Sequence, residues 1–362
     1  MRLGVLGTGL IGASVGLAAK RAGVEHVAGY DFFEDASNAA KARGAIDEIC
    51  IQPEEFMDGA DLVVVAVPVL ALQRQLSHLL ENDWDCAVTD VGSAKANLAA
   101  TIRDPRFVGG HPVTGSEARG PEHATADLFN GATWFLTPTA HTDPERYRLV
   151  HGFVSSLGAV PVAIDAEAHD RLVALTSHLP HALANLIVNQ AGAARIEGHE
   201  PLAAAGGSLR DMTRVAGANP QIWIDIFLEN AGPIRASLAE HRRRIEQLET
   251  ALESGDAGFL ARWIGEAAAN RSRMLADVYP DSGGLQQLRV HVPDRPGVLA
   301  GITQALGAER INIEDFELHH VSPDRGGTLT VLIGGEEQAH RAAALLEAQG
   351  YGVVVSPVLS ER

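Results

Sequence analysis

Cysteine is nearly missing from this chain: only Cys50 and Cys86 occur in 362 residues. One pair cannot build a disulfide framework, and its spacing fits no metal site. A reducing, cytoplasmic compartment is the expectation. Basic residues are also short, 29 against 46 acidic ones, giving a net charge of −17. That balance argues against non-specific binding to nucleic acid or to a membrane surface. An anionic substrate then needs local arginines to hold it. Long apolar runs are absent too. Residues 62–72 are too few to span a bilayer, and Pro68 interrupts them. The apolar start, Leu3 to Ala19 after Met1 and Arg2, superficially resembles a secretory signal. Gly4, Gly7, Gly9, Gly12 and Gly16 weaken such a helix, so a first strand is expected instead. There are no tandem repeats or low-complexity tracts. What is present is ample apolar content, 46%, for two or three domains with their own cores.

The first half alternates short apolar runs with helical patterns. Segments 2–6, 26–30, 62–67, 87–89 and 107–109 read as buried strands. Segments 10–22, 34–43, 69–80 and 94–103 read as helices. This alternation predicts an α/β fold, a Rossmann-type parallel sheet covered on both faces. Runs 133–136 and 160–164, flanking a helix near 143–156, are placed in the same sheet. At about Glu167 the texture changes, and helical periodicity continues to Val278. The stretch 182–194 is apolar nearly all round, as in a helix buried in a bundle or a dimer core. The basic run Arg242, Arg243 and Arg244 reads as a solvated helix face. After a linker at 281–284 comes strand–helix–strand–strand–helix–strand, at 286–292, 297–308, 311–321, 327–334, 336–348 and 352–358. That is ferredoxin-like α+β topology. The expected domains are 1–166 for the dinucleotide, 167–280 all-helical, and 285–362 ferredoxin-like.

Gly7-Thr8-Gly9-Leu10-Ile11-Gly12 gives G-x-G-x-x-G between a strand and a helix. The first glycine permits a tight turn, the second lets backbone approach a pyrophosphate, and the third lets helix and strand pack closely. The phosphates sit on the helix N-terminus. Asp31 ends the second strand, about 20 residues beyond, where a carboxylate binds ribose hydroxyls. It repels a 2′-phosphate, so NAD is expected over NADP.

Ligands bind at the carboxyl ends of such strands. Two segments end there with polar residues: Asp90-Val91-Gly92-Ser93-Ala94-Lys95, and the run from Gly109 through His111 and Pro112 to Glu117. A histidine suits removal of a hydroxyl proton during hydride transfer. Ser93 can share that hydroxyl, or it can simply be an N-cap; His111 can equally be structural. His178 and His181 lie three apart on a helix, with no third ligand to complete a metal site, so no metal is expected. Arg210 and Arg214 lie four apart on one helix face, where an anion between them is attractive. Separate salt bridges, for instance with Asp211, account for them equally well.

Five motifs, at 7–12, 90–95, 109–120, 177–184 and 210–216, stand in an order that resembles the prephenate/arogenate dehydrogenase family of tyrosine biosynthesis. The resemblance runs through the chain and implies an oxidative decarboxylation with NAD. Prephenate would give 4-hydroxyphenylpyruvate; arogenate, the alternative substrate, would give tyrosine. It implies His111 as catalytic base with Ser93 assisting. It implies Arg214 on a substrate carboxylate, His181 in the substrate pocket, Arg210 and Asp211 as a charged pair at its entrance, and Glu117 as a polar gate. Some members carry lysine where Arg210 stands, and Gly-Phe where Ser208-Leu209 stands. A homodimer through the helical domain is implied as well. The tail resembles an ACT domain at 292–299 and 311–313. The resemblance implies tyrosine as effector, with Asp294 and Asn312 as contacts; a pairing module without ligand is the alternative. A binding protein that lost catalysis is a different class, against which Ser93, His111 and Arg214 together argue. A 6-phosphogluconate-like dehydrogenase needs a lysine on the first long helix of the second domain, and 167–200 contains none.

Overall fold

The computed structural model describes residues 1–57, 59–114, 118–278, 284–322 and 326–358. Glu117, the expected gate, lies outside the described residues. The chain divides into two compact units, Met1–Arg242 and Arg243–Arg362.

The first unit is built on an eight-stranded sheet. Its strands are β1 (Arg2–Leu6), β2 (His26–Tyr30), β3 (Glu48–Ile49), β4 (Leu62–Val65), β5 (Ala87–Asp90), β6 (Phe107–Pro112), β7 (Thr133–Thr137) and β8 (Val160–Ala163). They lie in the order β3-β2-β1-β4-β5-β6-β7-β8. The first six are parallel, in the Rossmann order. Helices Leu10–Arg21, Glu34–Ala42, Val69–Leu80 and Ala96–Thr101 supply the crossovers. Period-two alternation divides the strands between two cores. Leu3, Val5, Leu62 and Val64 face one; Leu6, Val63, Val65 and Val88 face the other. Burial on both faces is why the strands read as unbroken apolar runs.

Two departures from the expected sheet have local causes. β3 is two residues long and carries no pattern. β7 pairs antiparallel to β6, with His111 opposite Phe135, and only β7–β8 returns to parallel. No long helix lies among the described residues between β6 and β7, so no parallel crossover forms there.

Helices then follow, as the periodicity predicts: Ala166–Val173, a π-turn Ala174–His178, Leu179–Ala193, Gly207–Thr213, Pro220–Glu229, Ala231–Ser254 and Ala257–Val278. The expected buried helix, Leu179–Ala193, is only partly covered within one chain. Ala184 is 1% exposed, but Leu186 is 59% exposed. Ile222, Ile224 and Leu228 on Pro220–Glu229 are exposed as well. Apolar surface of this kind marks an interaction site. The basic run Arg242, Arg243 and Arg244 is exposed on its helix, as expected of a solvated face. No helix among the described residues is long and apolar enough to cross a membrane.

In the second unit, β9 (Leu285–Val292), β10 (Asp315–Ser322), β11 (Gly326–Gly334) and β12 (Gly352–Pro357) form an antiparallel sheet ordered β10-β11-β9-β12. Helices Val298–Ala308 and Glu336–Ala348 pack on it through Ile302, Leu306, Ala342 and Leu346. This is the ferredoxin-like arrangement. β10 starts four residues later than expected. Arg310 takes a left-handed turn (φ 57°) and Ile311 is buried, so the chain is still turning at Asn312.

Candidate active site

The glycine turn follows β1. Gly7 has φ +92°, and a Cβ there would sit 2.4 Å from the Ala66 carbonyl oxygen. A Cβ at Gly12 would sit 1.9 Å from the Gly7 carbonyl oxygen, so turn and helix approach this closely only without a side chain. Gly9 has nothing within 4 Å of the equivalent position. It is the N-cap of the helix Leu10–Arg21, and no side chain caps that end. The free first-turn N–H groups and the open backbone suit a pyrophosphate. The Thr8 N–H donates to Asp31 Oδ2 at 2.7 Å, and the Phe33 N–H donates to Oδ1 at 3.0 Å. The carboxylate is thereby fixed beside the turn, with lone pairs left for ribose hydroxyls. Turn, helix end and carboxylate fit a dinucleotide.

The second cluster joins the ends of β5 and β6. Asp90 and Lys95 form a fully buried ion pair. Asp90 also accepts the Gly92 N–H at 2.8 Å and the Gly110 N–H at 3.0 Å. The loop after β5 is thereby locked to β6. Burial pushes the Lys95 ammonium pKa down, and Asp90 opposes that. Such a pair costs several kcal/mol in desolvation, roughly, so its value here is in fixing geometry.

Ser93 lies in this loop, and its Oγ is buried with no hydrogen-bond partner. A buried hydroxyl of that kind calls for a ligand or water. The helix begins only at Ala96, so Ser93 is not an N-cap. The helix end is satisfied from elsewhere. Asp170 accepts the Lys95 and Ala96 N–H groups, each at 2.8 Å.

His111 occupies the last turn of the pleat in β6. Its Nδ1 lies 2.9 Å from His169 Nε2, and His169 Nδ1 lies 2.8 Å from Asp170 Oδ1. Burial, then His169, Lys95 and His178, hold the His111 pKa well below the usual imidazole range. Neither His169 nor Asp170 stood out in the sequence. A signal existed: Ala166, His169, Asp170 and Val173 form the buried stripe of helix Ala166–Val173. Two polar residues on an apolar stripe need a reason.

His178 and His181 have separate partners. Asn230 Nδ2 lies 3.0 Å from His178 Nδ1 and also donates to the Asp170 carbonyl at 2.9 Å. The His178 pKa falls to about 4, chiefly through burial. His181 stacks on Trp223, with centroids 3.5 Å apart and planes 9° apart. Its Nδ1 is buried without a partner, and burial lowers its pKa. The His181 and Trp223 rings border a cavity of 210 Å³ with Asn185, Ala216 and Phe227.

Arg210, Asp211 and Arg214 are exposed. The helix Gly207–Thr213 stops before Arg214, which opens a 3₁₀ turn, so the two arginines do not share one regular helix face. Arg214 stands two residues before Ala216, which lines the His181 cavity. In the second unit, Asp294 is exposed before the left-handed Gly297, and Asn312 Nδ2 donates to Glu314 at 3.0 Å. Asn312 precedes β10, where it was expected to start that strand.

A Rossmann order, a glycine turn with its carboxylate, and a half-buried histidine at a strand end define a nucleotide-dependent dehydrogenase. Comparison with known proteins narrows the class. The family model for the prephenate dehydrogenase nucleotide-binding domain matches residues 15–163, that for the prephenate dehydrogenase dimerization domain 165–266, and the ACT domain 286–350. The prephenate dehydrogenase of Bacillus subtilis is 32% identical over 357 residues, 95% of each chain. A cyclohexadienyl dehydrogenase of Zymomonas mobilis is 31% identical over 76% of this chain and 96% of its own. The crystal structure of prephenate dehydrogenase from Aquifex aeolicus, in complex with hydroxyphenyl propionate and NAD⁺, superposes with a TM-score of 0.72. It is 29% identical, over 76% of this chain and 98% of its own. The chain belongs to the prephenate dehydrogenase family.

Proposed function

We propose that this chain converts prephenate, NAD⁺-dependently, to 4-hydroxyphenylpyruvate and CO₂, with His111 as the base. The observation that carries the assignment of the base is the place of His111 at the end of β6, with its Nδ1 held 2.9 Å from His169 Nε2. A base must be unprotonated at working pH, and burial, with His169 and Lys95 nearby, favours the neutral imidazole. Bound NAD⁺ supplies the hydride acceptor. Gly7, Thr8, Gly9, Leu10, Ile11 and Gly12 hold its phosphates, and Asp31 holds its adenosine ribose. His111 accepts the proton of the ring hydroxyl as hydride leaves the same carbon. The bond to the ring carboxylate breaks, its electron pair completes the aromatic ring, and the proton held by His111 returns to the ring oxygen. The orphaned Ser93 hydroxyl meets the same substrate oxygen. His181 and Arg214 line the substrate side, Arg214 on a carboxylate. Arg210, Asp211 and Glu117 guard the entrance.

The functional division stays at 1–166, 167–280 and 285–362. In support, the family matches break close to these points. The enzyme acts as a homodimer, in keeping with the exposed apolar surface of its helical region and its dimerization-domain match. A cytoplasmic location accords with two free, buried thiols whose pKa values burial raises to about 11. Tyrosine is the effector we assign to the tail, through Asp294 and Asn312.

The test compares kcat/KM for prephenate and arogenate with NAD⁺, each with and without tyrosine. The expected result is NADH formation from prephenate, slowed by tyrosine. The cyclohexadienyl relative gives the arogenate arm its weight. Turnover of neither substrate overturns the function. Undiminished inhibition after Asp294→Ala and Asn312→Ala removes the assigned effector contacts.

A further inference from the structure

His111 has two ring nitrogens, and only a bare one can take a proton. The contacts decide which. The Asp170 carboxylate can only accept, and both oxygens already receive backbone N–H groups. The 2.8 Å contact with His169 therefore requires a proton on His169 Nδ1. His169 is neutral when its Nε2 is bare, and that Nε2 then accepts from His111 Nδ1–H at 2.9 Å. His111 Nε2 is left bare. The His169 ring cannot easily turn away: it is 0% exposed and meets Phe135 edge-on, with centroids 5.3 Å apart.

We propose that His169 and Asp170 are positioning residues that set the proton positions on His111 and so make its Nε2 the base. This rests on the assignment of His111 above. Protonating the His169–His111 pair can reverse the bond. A proton on His169 Nε2 would turn His111 to the other tautomer, with Nε2 occupied and useless as a base. Removing the His169 imidazole should therefore alter the acid limb that His111 gives the rate profile. The groups facing the pair are Lys95 and His178 on the His111 side and Asp170 on the His169 side. Asn230 ties His178 and the Asp170 carbonyl into the same cluster. The same Asp170 carboxylate caps the helix after the Ser93 loop, so one side chain sets both that loop and the tautomer of the base.

The test reads tautomers directly. Full-length protein carrying ¹⁵N-histidine is examined by imidazole NMR at pH 8, with His111 assigned by its loss in His111→Asn. The expected signal is a protonated Nδ1 and a bare Nε2; a protonated Nε2 overturns the proposal. This readout needs no turnover, so it stands apart from failure of the proposed reaction. Kinetics supply the second arm. His169→Leu should lower kcat by about 10²-fold or more, within the range for general-base catalysis, with KM and NADH affinity unchanged. His169→Gln offers an amide oxygen to His111 Nδ1–H and should recover roughly a tenth of the wild-type rate or better. With the neighbouring imidazole gone, its acid limb should move to higher pH. An unchanged rate in His169→Leu, or an unmoved acid limb in His169→Gln, overturns the proposal. If His169→Leu does not fold, the wild-type tautomer and the His169→Gln profile decide.

Discussion

The cofactor turn and the reacting centre differ in how far apart their parts lie in the chain. The turn takes six consecutive residues and one carboxylate; Thr8 and Asp31 are 23 residues apart. The reacting centre joins His111 to His169 across 58 residues and the Ser93 loop to Asp170 across 75. The turn is constrained by backbone sterics, so its glycines are required where they stand. The centre is constrained by hydrogen-bond satisfaction, so its members are defined by what they face. The first should fail by losing shape, and the second by losing proton control while shape survives.

The largest effect should come from breaking the turn. Gly12→Ala sets a Cβ 1.9 Å from a backbone oxygen, with no flexible side chain to yield. Loss of measurable NADH binding by fluorescence titration is expected, with lowered thermal stability. Binding at wild-type affinity would show that the helix shifts freely and that the turn is not a rigid cradle.

A second prediction uses His178. Its pKa is about 4 in the folded chain, against about 6.5 for an unperturbed imidazole. Between those values the unfolded chain binds more protons. The stability contribution is therefore complete above about pH 6.5 and is lost as pH falls toward 4. At about 1.4 kcal/mol per pKa unit, the loss approaches ~3 kcal/mol. Urea midpoints at pH 7 and pH 4.5 should differ more in the wild type than in His178→Gln. Equal differences would mean that His178 is not buried neutral.

The smallest effect is at Asp31. Asp31→Asn keeps one oxygen for the turn but loses the charge. NADH affinity should fall about tenfold, as for loss of one charge-assisted hydrogen bond, while NADPH affinity rises. An unchanged NADH-to-NADPH preference would detach Asp31 from the ribose.

The same contrast explains how much could be read in advance. β1, β2, β4, the glycine turn and Asp31 were legible because each rests on a short pattern with a steric reason. The ferredoxin-like tail was legible from its order of elements. β3 was too short to carry a pattern. The antiparallel β7 depended on a connection rather than on its own residues. Ser93 and His111 were visible as strand-end polar residues, but the N-cap alternative for Ser93 could be removed only once Asp170 was seen capping that helix. His169 and Asp170 were missed because their meaning lies in a partner 58 or more residues away. Arg214 was assigned to a shared helix face that ends one residue too early.

The most direct test of the central claim is the rate of NADH formation from prephenate by His111→Asn, beside its NADH affinity. The expected fall in kcat is about 10²- to 10⁴-fold, with NADH bound as tightly as by the wild type. A wild-type rate in that variant would contradict it and place the base elsewhere.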